Sequence, residues 1–341
     1  MSYQQKLEQE FKIFDQCFNV HELPNAYLYY IQKSFVRKLQ QIFGFSSYDE
    51  MILKYLELLK CEKNETDIII CSLGSGDCNY EIDFAAKNNL RCEFHCYELN
   101  QHMLDRAKNH AFEKSREETF KFIQCDANKL EMRQQYDIVL AIHSLHHFVE
   151  LEHIFDQISN CMTEKSYFII NDMIGRNGHM FYDNTLQIVN IIHSVLPKEL
   201  KYNHLLKQYY EKRIQWDCST EGFEGVRAQD ILPLLDLKFQ FLDFAPFSSI
   251  ADRFTAREFG HNYDLNNNLH KIILDMIIAY DDFFLTNKLL KPTQLFATVV
   301  KKNAKVQNYR YMYFENPSEV WELDDEKVWD YFDRTNMFRG K

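Results

Sequence analysis

The chain has 341 residues, of which 46% are hydrophobic and 15% aromatic, and this composition excludes a disordered or low-complexity protein. Its 39 Lys and Arg against 50 Asp and Glu give a formal net charge of −11, so a phosphate backbone would be repelled and nucleic acid is a disfavoured partner. No apolar run approaches the roughly 18 to 20 residues of a membrane span, and the N-terminus lacks a signal-peptide core, so we expect no membrane partner and a cytoplasmic protein.

Residues 1–60 are predicted to form an N-terminal helical cap. Ser47 is a candidate helix N-cap because Glu50 follows three residues later and apolar residues then recur at helical spacing. From residue 67 the pattern changes to short apolar runs separated by helical segments, which is typical of parallel strands with crossover helices. The candidate strands of this core, which we place at 61–175, are 67–72, 93–97, 120–124, 136–142 and 167–171.

Two inserts interrupt the predicted sheet. The first, at 176–236, is predicted to be helical, with helices at 180–196 and 202–214. The C-terminal part of the sheet spans 237–302, with strands at 238–244 and 294–301 that flank a second insert at 246–293, which carries a helix over 268–288. The tail at 303–341 is predicted to dock a short helix. The whole pattern predicts an α/β fold with a doubly wound, Rossmann-like, seven-stranded sheet.

A glycine-containing loop follows the first predicted strand. There an apolar run leads directly into Gly74, Ser75 and Gly76. Glycine permits both the turn and the close approach of the backbone to a ligand at the carboxyl end of a strand. Glu98 lies 22 residues beyond Gly76, at the end of the second strand, where a carboxylate can accept both hydroxyl protons of a ribose. The pair predicts a nucleoside-containing cofactor.

The residues after this loop disfavour a dinucleotide. Dinucleotide enzymes place a third glycine where a helix N-terminus receives the pyrophosphate, and this chain has Cys78 and Asn79 there. The carboxylate of Asp77 would also face that phosphate. A cofactor without phosphates is therefore favoured.

Over about residues 65–175 these motifs resemble those of the class I S-adenosylmethionine-dependent methyltransferases, with LGSG as the cofactor loop, YE as the ribose-binding acid and AIHSLHHF after the fourth strand. The flanks HELPNAYLYYIQKSFVRKLQQIFGFSS and EGFEGVRAQDILPLL are similar to a bacterial methyltransferase subgroup often associated with glycan or secondary-metabolite pathways. The resemblance implies S-adenosyl-L-methionine as the cofactor and a small molecule or sugar as the methyl acceptor.

The resemblance also implies roles for individual residues. Glu98 would bind the ribose, Asp126 the adenine amino group and Ala127 the adenine ring, while His143 would line the sulfonium side. Ser72 stands where the family often has an acid that reaches the cofactor's ammonium group; Asp77, a backbone carbonyl, or the tyrosines at 27 and 30 could substitute. The residues expected at the cofactor are Ser72, Gly74, Ser75, Gly76, Glu98, Leu99, Asp126, Ala127, His143 and Tyr30.

Histidines after the fourth strand form an H-x-x-H-H cluster, which raises a metal site as one interpretation. Their sequence neighbours supply no third or fourth ligand, so we predict no metal. Histidine can take a proton from a hydroxyl or amine near neutral pH, and Asp172 ends the fifth strand beside the ligand crevice. The predicted catalytic residues are His146 or His147 as the base, with Asp172 assisting; a structural histidine and a turn-capping aspartate are the alternatives.

Candidate acceptor-binding residues lie mostly outside the core. Arg176 and Arg227, with His179, could bind an anionic acceptor or form surface salt bridges, and His261 lies in a segment that could form a lid or an ordinary loop. Tyr27 is expected to reach the pocket from the N-terminal cap. The nine cysteines include no C-x-x-C pair, which favours buried reduced thiols over disulfides or zinc.

The predicted function is methyl transfer from S-adenosylmethionine to an oxygen or nitrogen of a small-molecule, sugar or secondary-metabolite acceptor. One alternative is a catalytically weak scaffold or sensor subunit that keeps the cofactor pocket and recruits a partner through its acidic aromatic tail. An NAD-dependent dehydrogenase is a further, less favoured alternative.

Overall fold

A computed structural model describes residues 3–16, 22–305, 308–324 and 326–335. Its strands are β1 (Ile69–Leu73), β2 (Glu93–Glu98), β3 (Phe120–Gln124), β4 (Tyr136–Ile142), β5 (Met162–Met173), β6 (Tyr202–Asn203), β7 (Gln208–Tyr209), β8 (Phe239–Phe247), β9 (Gln294–Lys301) and β10 (Arg310–Tyr311). Its helices are α1 (Tyr3–Gln16), α2 (Asn25–Tyr30), α3 (Arg37–Phe43), α4 (Tyr48–Lys60), α5 (Asn79–Lys87), α6 (Gln101–Glu113), α7 (Leu151–Cys161), α8 (Asp183–Val195), α9 (Ala228–Lys238), α10 (Asp252–Thr255), α11 (Asn268–Thr286), α12 (Ser318–Trp321) and α13 (Lys327–Thr335). A π-helical segment, Ile31–Val36, joins α2 to α3.

One sheet runs through the molecule in the order β10-β8-β9-β5-β4-β1-β2-β3. Strands β1 to β5 pair in parallel, whereas β9 is antiparallel to both β5 and β8. The α/β, doubly wound, Rossmann-like prediction is confirmed. The count of seven strands was wrong, because the tail adds β10 in parallel to the edge strand β8. A two-residue strand carries too little periodicity to be predicted from sequence.

Helices cover both faces of the sheet. Helices α4, α5 and α6 pack on one face, and α7 with α9 pack on the other. Strands buried on both sides read as near-continuous apolar runs, which is why β4 and β9 have the predicted bounds. A third apolar cluster joins α2, α8, α11 and the segment between β8 and α10.

The predicted cap of α4 is confirmed, and one predicted helix is wrong. The Ser47 hydroxyl accepts a hydrogen bond from the backbone N–H of Glu50 at 3.1 Å. Residues 202–214, expected to be helical, instead contain the β6–β7 hairpin. The Asn203 side chain accepts hydrogen bonds from the backbone N–H groups of Leu205 and Leu206, and this local turn competes with helix formation.

Most of the described cysteines are buried, as expected, although Cys61 is exposed. Cys17 lies outside the described residues. Among the helices that the structure describes, none combines the length and apolar character needed to cross a membrane.

A buried carboxylate fixes the chain after β8. Asp281 on α11 is 1% exposed, and its Oδ1 accepts backbone N–H bonds from Ser249, Ile250 and Ala251 at 2.7, 2.7 and 3.1 Å. The Tyr30 hydroxyl donates to its other oxygen at 3.2 Å. This contact holds the turn that leads into α10.

We expect Asp281→Ala to lower the free energy of unfolding by about 3 kcal/mol or more, because several buried N–H groups lose their acceptor. The matched control is Asp275→Ala on the same helix, where the carboxylate is 37% exposed and pairs with Lys33. An exposed pair of this kind contributes about 0 to 1 kcal/mol. Urea denaturation of the two variants measures the difference, and equal losses would contradict the assignment.

Candidate active site

A cavity of about 1450 Å³ opens at the carboxyl ends of β1, β2, β4 and β5. Ligand crevices of open α/β sheets occur at this edge. Helix α1 and the first insert close it from above. The predicted residues that line it are Ser72, Gly74, Ser75, Gly76, Glu98, Leu99, Asp126, Ala127, His143, His146, His147, Tyr27 and His179.

The glycine loop after β1 has the left-handed backbone that glycine allows. Gly74 has φ +63° and Gly76 has φ +58°. A Cβ atom on Gly74 would lie 2.7 Å from the Cβ of Ser144, so a larger residue could not occupy this position without a shift. The loop therefore leaves its backbone open toward the cavity.

Glu98 fixes this loop against the end of β2. Its Oε2 accepts a hydrogen bond from the Gly76 N–H at 2.9 Å, and its Oε1 accepts from the N–H groups of Leu99 and Asn100 at 2.8 and 2.9 Å. Burial raises the pKa of Glu98, and these backbone bonds oppose that shift. The sequence-predicted pair of loop and acid is thus one hydrogen-bonded unit.

Glu81, which sequence reasoning missed, lies beside Ser72 in the cavity wall. The Ser72 hydroxyl donates to Glu81 Oε1, and Glu81 is only 3% exposed. Burial raises the pKa of Glu81 to about 7 against the hydrogen bond from Ser72, and the carboxylate of Asp77 raises it further. Within the described residues no Lys, Arg or His forms an ion pair with Glu81. It is a buried acid that lacks a cationic partner.

Helix α1 closes the end of the cavity near β3. The Tyr3 hydroxyl donates to the Asp126 carboxylate at 2.9 Å, and the Tyr3 ring packs on Phe223 at 5.1 Å between centroids. Burial, followed by the bond to Asp126, raises the pKa of Tyr3 to about 12. The residues of α1 that line the cavity recur at helical spacing and are Tyr3, Leu7, Glu10 and Phe11.

Asp172 lies beneath the cavity wall rather than in it. It is fully buried, and its Oδ2 accepts backbone N–H bonds from Ser144 and Leu145 at 2.9 and 2.7 Å. Its Oδ1 lies 2.6 Å from His146 Nδ1. Asp172 therefore orients His146, and the expectation that it contacts an acceptor is not met.

Glu224 of the first insert brings the predicted histidines together. Its carboxylate lies 2.6 Å from His179 Nε2, 3.6 Å from His146 Nε2 and 3.5 Å from His147 Nε2. His147 Nδ1 also lies 3.0 Å from Glu10 of α1. The sequence analysis named each of these histidines but not Glu224. The EGFEGVR segment that contains Glu224 entered it only as part of a family resemblance, with no role for the acid.

The environments of the histidines differ. Burial opposes a charge on His146, but the carboxylates of Asp172 and Glu224 outweigh it and raise the pKa of His146 to about 10. His146 therefore already holds a proton at neutral pH, which argues against its predicted role as the base. Burial lowers the pKa of His179 despite the bond to Glu224. His179 and His143, both in the cavity wall, have left-handed φ values of +54° and +50°.

Four predicted binding residues do not line the cavity. Tyr30 is buried against Asp281, and the His261 ring packs on His204. Arg176 donates to Asp183 and to the Phe181 carbonyl. Arg227 pairs with Glu152 and Asp230, so the salt-bridge alternative describes both arginines.

Other arginines, which sequence reasoning missed, line the acceptor side: Arg213, Arg253 and Arg257. Arg213 is 6% exposed, its guanidinium carbon lies 3.2 Å from the ring centroid of Phe259, and burial lowers its pKa to about 10. The Nε of Arg253 and that of Arg257 are buried without a hydrogen-bond acceptor in the described chain.

Residues 64–221 match the family model of a methyltransferase domain. No curated protein matches the sequence. One solved structure that resembles the chain is an O-methyltransferase from a polyketide synthase multienzyme of Brevibacillus brevis with S-adenosylhomocysteine (12% identity, 90% of this chain and 84% of that chain, TM-score 0.39). Another is an S-adenosylmethionine-dependent methyltransferase from Thiobacillus denitrificans with S-adenosylhomocysteine (11% identity, 73% and 91%, TM-score 0.39).

The family match and the sheet define a class I S-adenosylmethionine-dependent methyltransferase domain over this part of the chain. S-adenosylmethionine is its cofactor. Both TM-scores lie below 0.5, so the roles of individual residues depend on the geometry of this chain alone.

Glu81 predicts a pH dependence of stability. The unfolded chain loses this proton near pH 4.5, but the folded protein keeps it until about pH 7. The stabilisation is therefore complete below pH 4.5 and is lost as the pH rises through 7, a change of about 3 kcal/mol. We expect Glu81→Gln to remove this decline in urea denaturation at pH 5 and pH 8.

The matched control is Glu57→Gln, whose carboxylate is 68% exposed and should leave the pH profile unchanged. Parallel profiles for the wild type and Glu81→Gln would show that Glu81 titrates normally. The ionisable groups that also interact with Glu81 are Asp77, Tyr48, Tyr80 and Cys96.

Proposed function

We propose that the protein transfers a methyl group from S-adenosylmethionine to an oxygen or nitrogen of a small-molecule acceptor held in the cavity. The observation that carries this proposal is the hydrogen bond from the Gly76 N–H to the Glu98 carboxylate at the mouth of the sheet. It places an open backbone turn next to a fixed acid, and a nucleoside needs both.

The cavity wall fits the chemical groups of this cofactor. Glu98 would bind the ribose hydroxyls, and Ala127 would flank the adenine ring. The adenine amino group would share Asp126 with the Tyr3 hydroxyl or displace it, since that carboxylate already accepts from Tyr3. The loop from Gly74 to Gly76 would follow the methionine part.

We infer that Glu81 binds the ammonium group of the cofactor. It supplies a carboxylate from α5 next to Ser72, where the related enzymes often carry an acid on the strand itself. Glu81 is buried and has no cationic partner among the described residues, and in such an environment an ammonium group gains most from a charge-assisted hydrogen bond.

S-adenosylmethionine supplies a methyl group on a sulfonium sulfur, which departs as a neutral thioether. The protein must then align the acceptor atom with that methyl group, exclude water and receive one proton. Helix α1 excludes water by covering the cavity, and His143 lies at the end of β4. The proton would pass to His147, which lines the cavity and lies 3.5 Å from Glu224.

The acceptor side favours a molecule with an acidic group. Arg213, Arg253 and Arg257 line this side; the Nε atoms of Arg253 and Arg257 form no hydrogen bond within the described residues, and Arg253 Nε lies 3.7 Å from the Asp252 carboxylate. A carboxylate or phosphate on the acceptor would satisfy them. Paired acceptor panels, with and without such a group, test this preference.

We expect Glu98→Ala and Glu81→Gln each to weaken S-adenosylmethionine binding at least about tenfold, or about 1.4 kcal/mol, in calorimetry. Methylthioadenosine, which has the nucleoside but no ammonium group, separates the two roles. Glu98→Ala should weaken its binding, whereas Glu81→Gln should not. Unchanged affinity for both ligands in a folded Glu98→Ala protein would remove Glu98 from the site. Binding of NAD instead would favour the dehydrogenase alternative.

Glu224→Gln and His147→Ala should lower turnover by about a hundredfold or more while S-adenosylmethionine affinity changes little, since proton transfer of this kind contributes about 10² to 10⁴. Release of S-adenosylhomocysteine over the acceptor panel measures turnover, and calorimetry measures affinity. His110→Ala on α6, whose ring pairs with Asp83 outside this cluster, is the control. Cofactor binding without any turnover over the panel would favour the scaffold or sensor alternative.

A further inference from the structure

Donor atoms from distant parts of the chain converge at the acceptor end of the cavity. His146 follows β4, His179 precedes α8, and Glu224 lies before α9. The candidate ligand atoms of these side chains all lie within 4.8 Å of one another. Bonds of about 2.1 Å to one ion require ligand atoms about 3 to 4 Å apart, so small side-chain movements would complete such a site.

We propose that His146, His179 and Glu224 bind a divalent transition-metal ion. This inference rests on the proposed function, because it assigns a ligand to the same acceptor end. Two imidazole nitrogens and one carboxylate oxygen form the ligand set of catalytic zinc sites and of non-haem iron(II) sites. Such sites keep coordination positions open, and here those positions would face the cavity.

The His146 ring is held by a carboxylate on its other nitrogen, an arrangement common for histidine ligands of metal ions. The Asp172 carboxylate bonds to His146 Nδ1 and leaves Nε2 directed toward Glu224. Asp172 is itself fixed by the backbone N–H groups of Ser144 and Leu145. A buried carboxylate behind a histidine ligand sets the ring orientation and raises its basicity toward a metal.

The other two ligands are fixed by a close backbone contact. His179 has a left-handed φ of +54°, an uncommon conformation for a residue with a side chain. The N–H of Gly178 donates to the carbonyl of Gly225 at 2.8 Å, which joins the residues next to both ligands. A Cβ on Gly225 would lie 3.0 Å from the His179 ring, so glycine is needed there.

The charges of the cluster favour a bound cation. In the part of the chain that the structure describes, neither Glu224 nor Asp172 forms an ion pair with a lysine or an arginine; their partners are histidines. Asp172 also accepts backbone N–H bonds, and the ion-pair partners of Glu224 among the described residues are imidazole rings. A divalent ion would replace the proton that His146 carries and would balance these carboxylates. It would also hold an acceptor oxygen in an open position and ease the loss of the acceptor proton.

The test is metal binding by the full chain after treatment with a chelator, without S-adenosylmethionine or acceptor. We expect Co²⁺ to bind at one equivalent and to give visible absorption bands that Zn²⁺ or, under anaerobic conditions, Fe²⁺ removes by competition. His179→Ala and Glu224→Ala should each weaken Co²⁺ binding at least tenfold, and Asp172→Asn should weaken it by a similar factor.

The control is His110→Ala, which removes a histidine of α6 that pairs with Asp83 of α5. This variant should bind Co²⁺ as the wild type does. Near-ultraviolet circular dichroism and S-adenosylmethionine calorimetry show which variants keep their fold. No Co²⁺ binding by the wild type, or binding that survives both His179→Ala and Glu224→Ala, overturns the metal site. If S-adenosylmethionine still binds in that case, the proposed function stands; if Co²⁺ binds and S-adenosylmethionine does not, the proposed function fails instead.

Discussion

The hydrogen bond between the Gly76 N–H and the Glu98 carboxylate organises the candidate active site. It ties the turn after β1 to the end of β2, and the same carboxylate holds the first residues after that strand. A parallel sheet brings these two strand ends side by side, so the topology places the acid and the glycine loop together. The remaining groups of the cofactor region surround this unit.

Two other buried carboxylates also accept hydrogen bonds from backbone N–H groups and so fix loops. Asp172 holds the start of the histidine segment, and Asp281 holds the turn before α10. In each case one acid collects several backbone N–H groups that no helix or strand satisfies. Asp172 and Asp281 do not line the cavity, so they support the segments around it without touching a ligand.

Much of the fold could be predicted because its signals are local. Apolar runs define β4 and β9, and the Ser47 cap defines the start of α4. The glycine loop and Glu98 could be assigned to one site from the sequence, because their separation is that of the ends of two consecutive, neighbouring strands. The hairpin in the first insert could not be predicted, since a single Asn203 turn decides it against a helical pattern. The short strand β10 depends on an edge that only the folded sheet provides.

The acceptor end was less accessible to sequence reasoning because its groups meet only through tertiary structure. The prediction of no metal considered only the sequence neighbours of the histidines, and it stays a prediction; His179 and Glu224, which lie near His146 in the structure, come from the first insert. Asp172 was predicted correctly at the end of a strand. Its side chain turns to the backbone N–H groups of Ser144 and Leu145, a contact that the sequence does not reveal. Arginines were expected at the acceptor, and different ones occupy that wall.

The position of Tyr3 has a consequence for exchange of ligands. Its hydroxyl uses the same Asp126 oxygens that would receive the purine, and Lys6 on the same helix donates to the Ser219 carbonyl at 2.7 Å. On the proposed assignment, the nucleoside would be exchanged past this helix, which these polar contacts and the Tyr3–Phe223 ring pair hold in place. Residence time on the protein would then be set by how firmly that N-terminal helix is seated, independently of the speed of the chemical step.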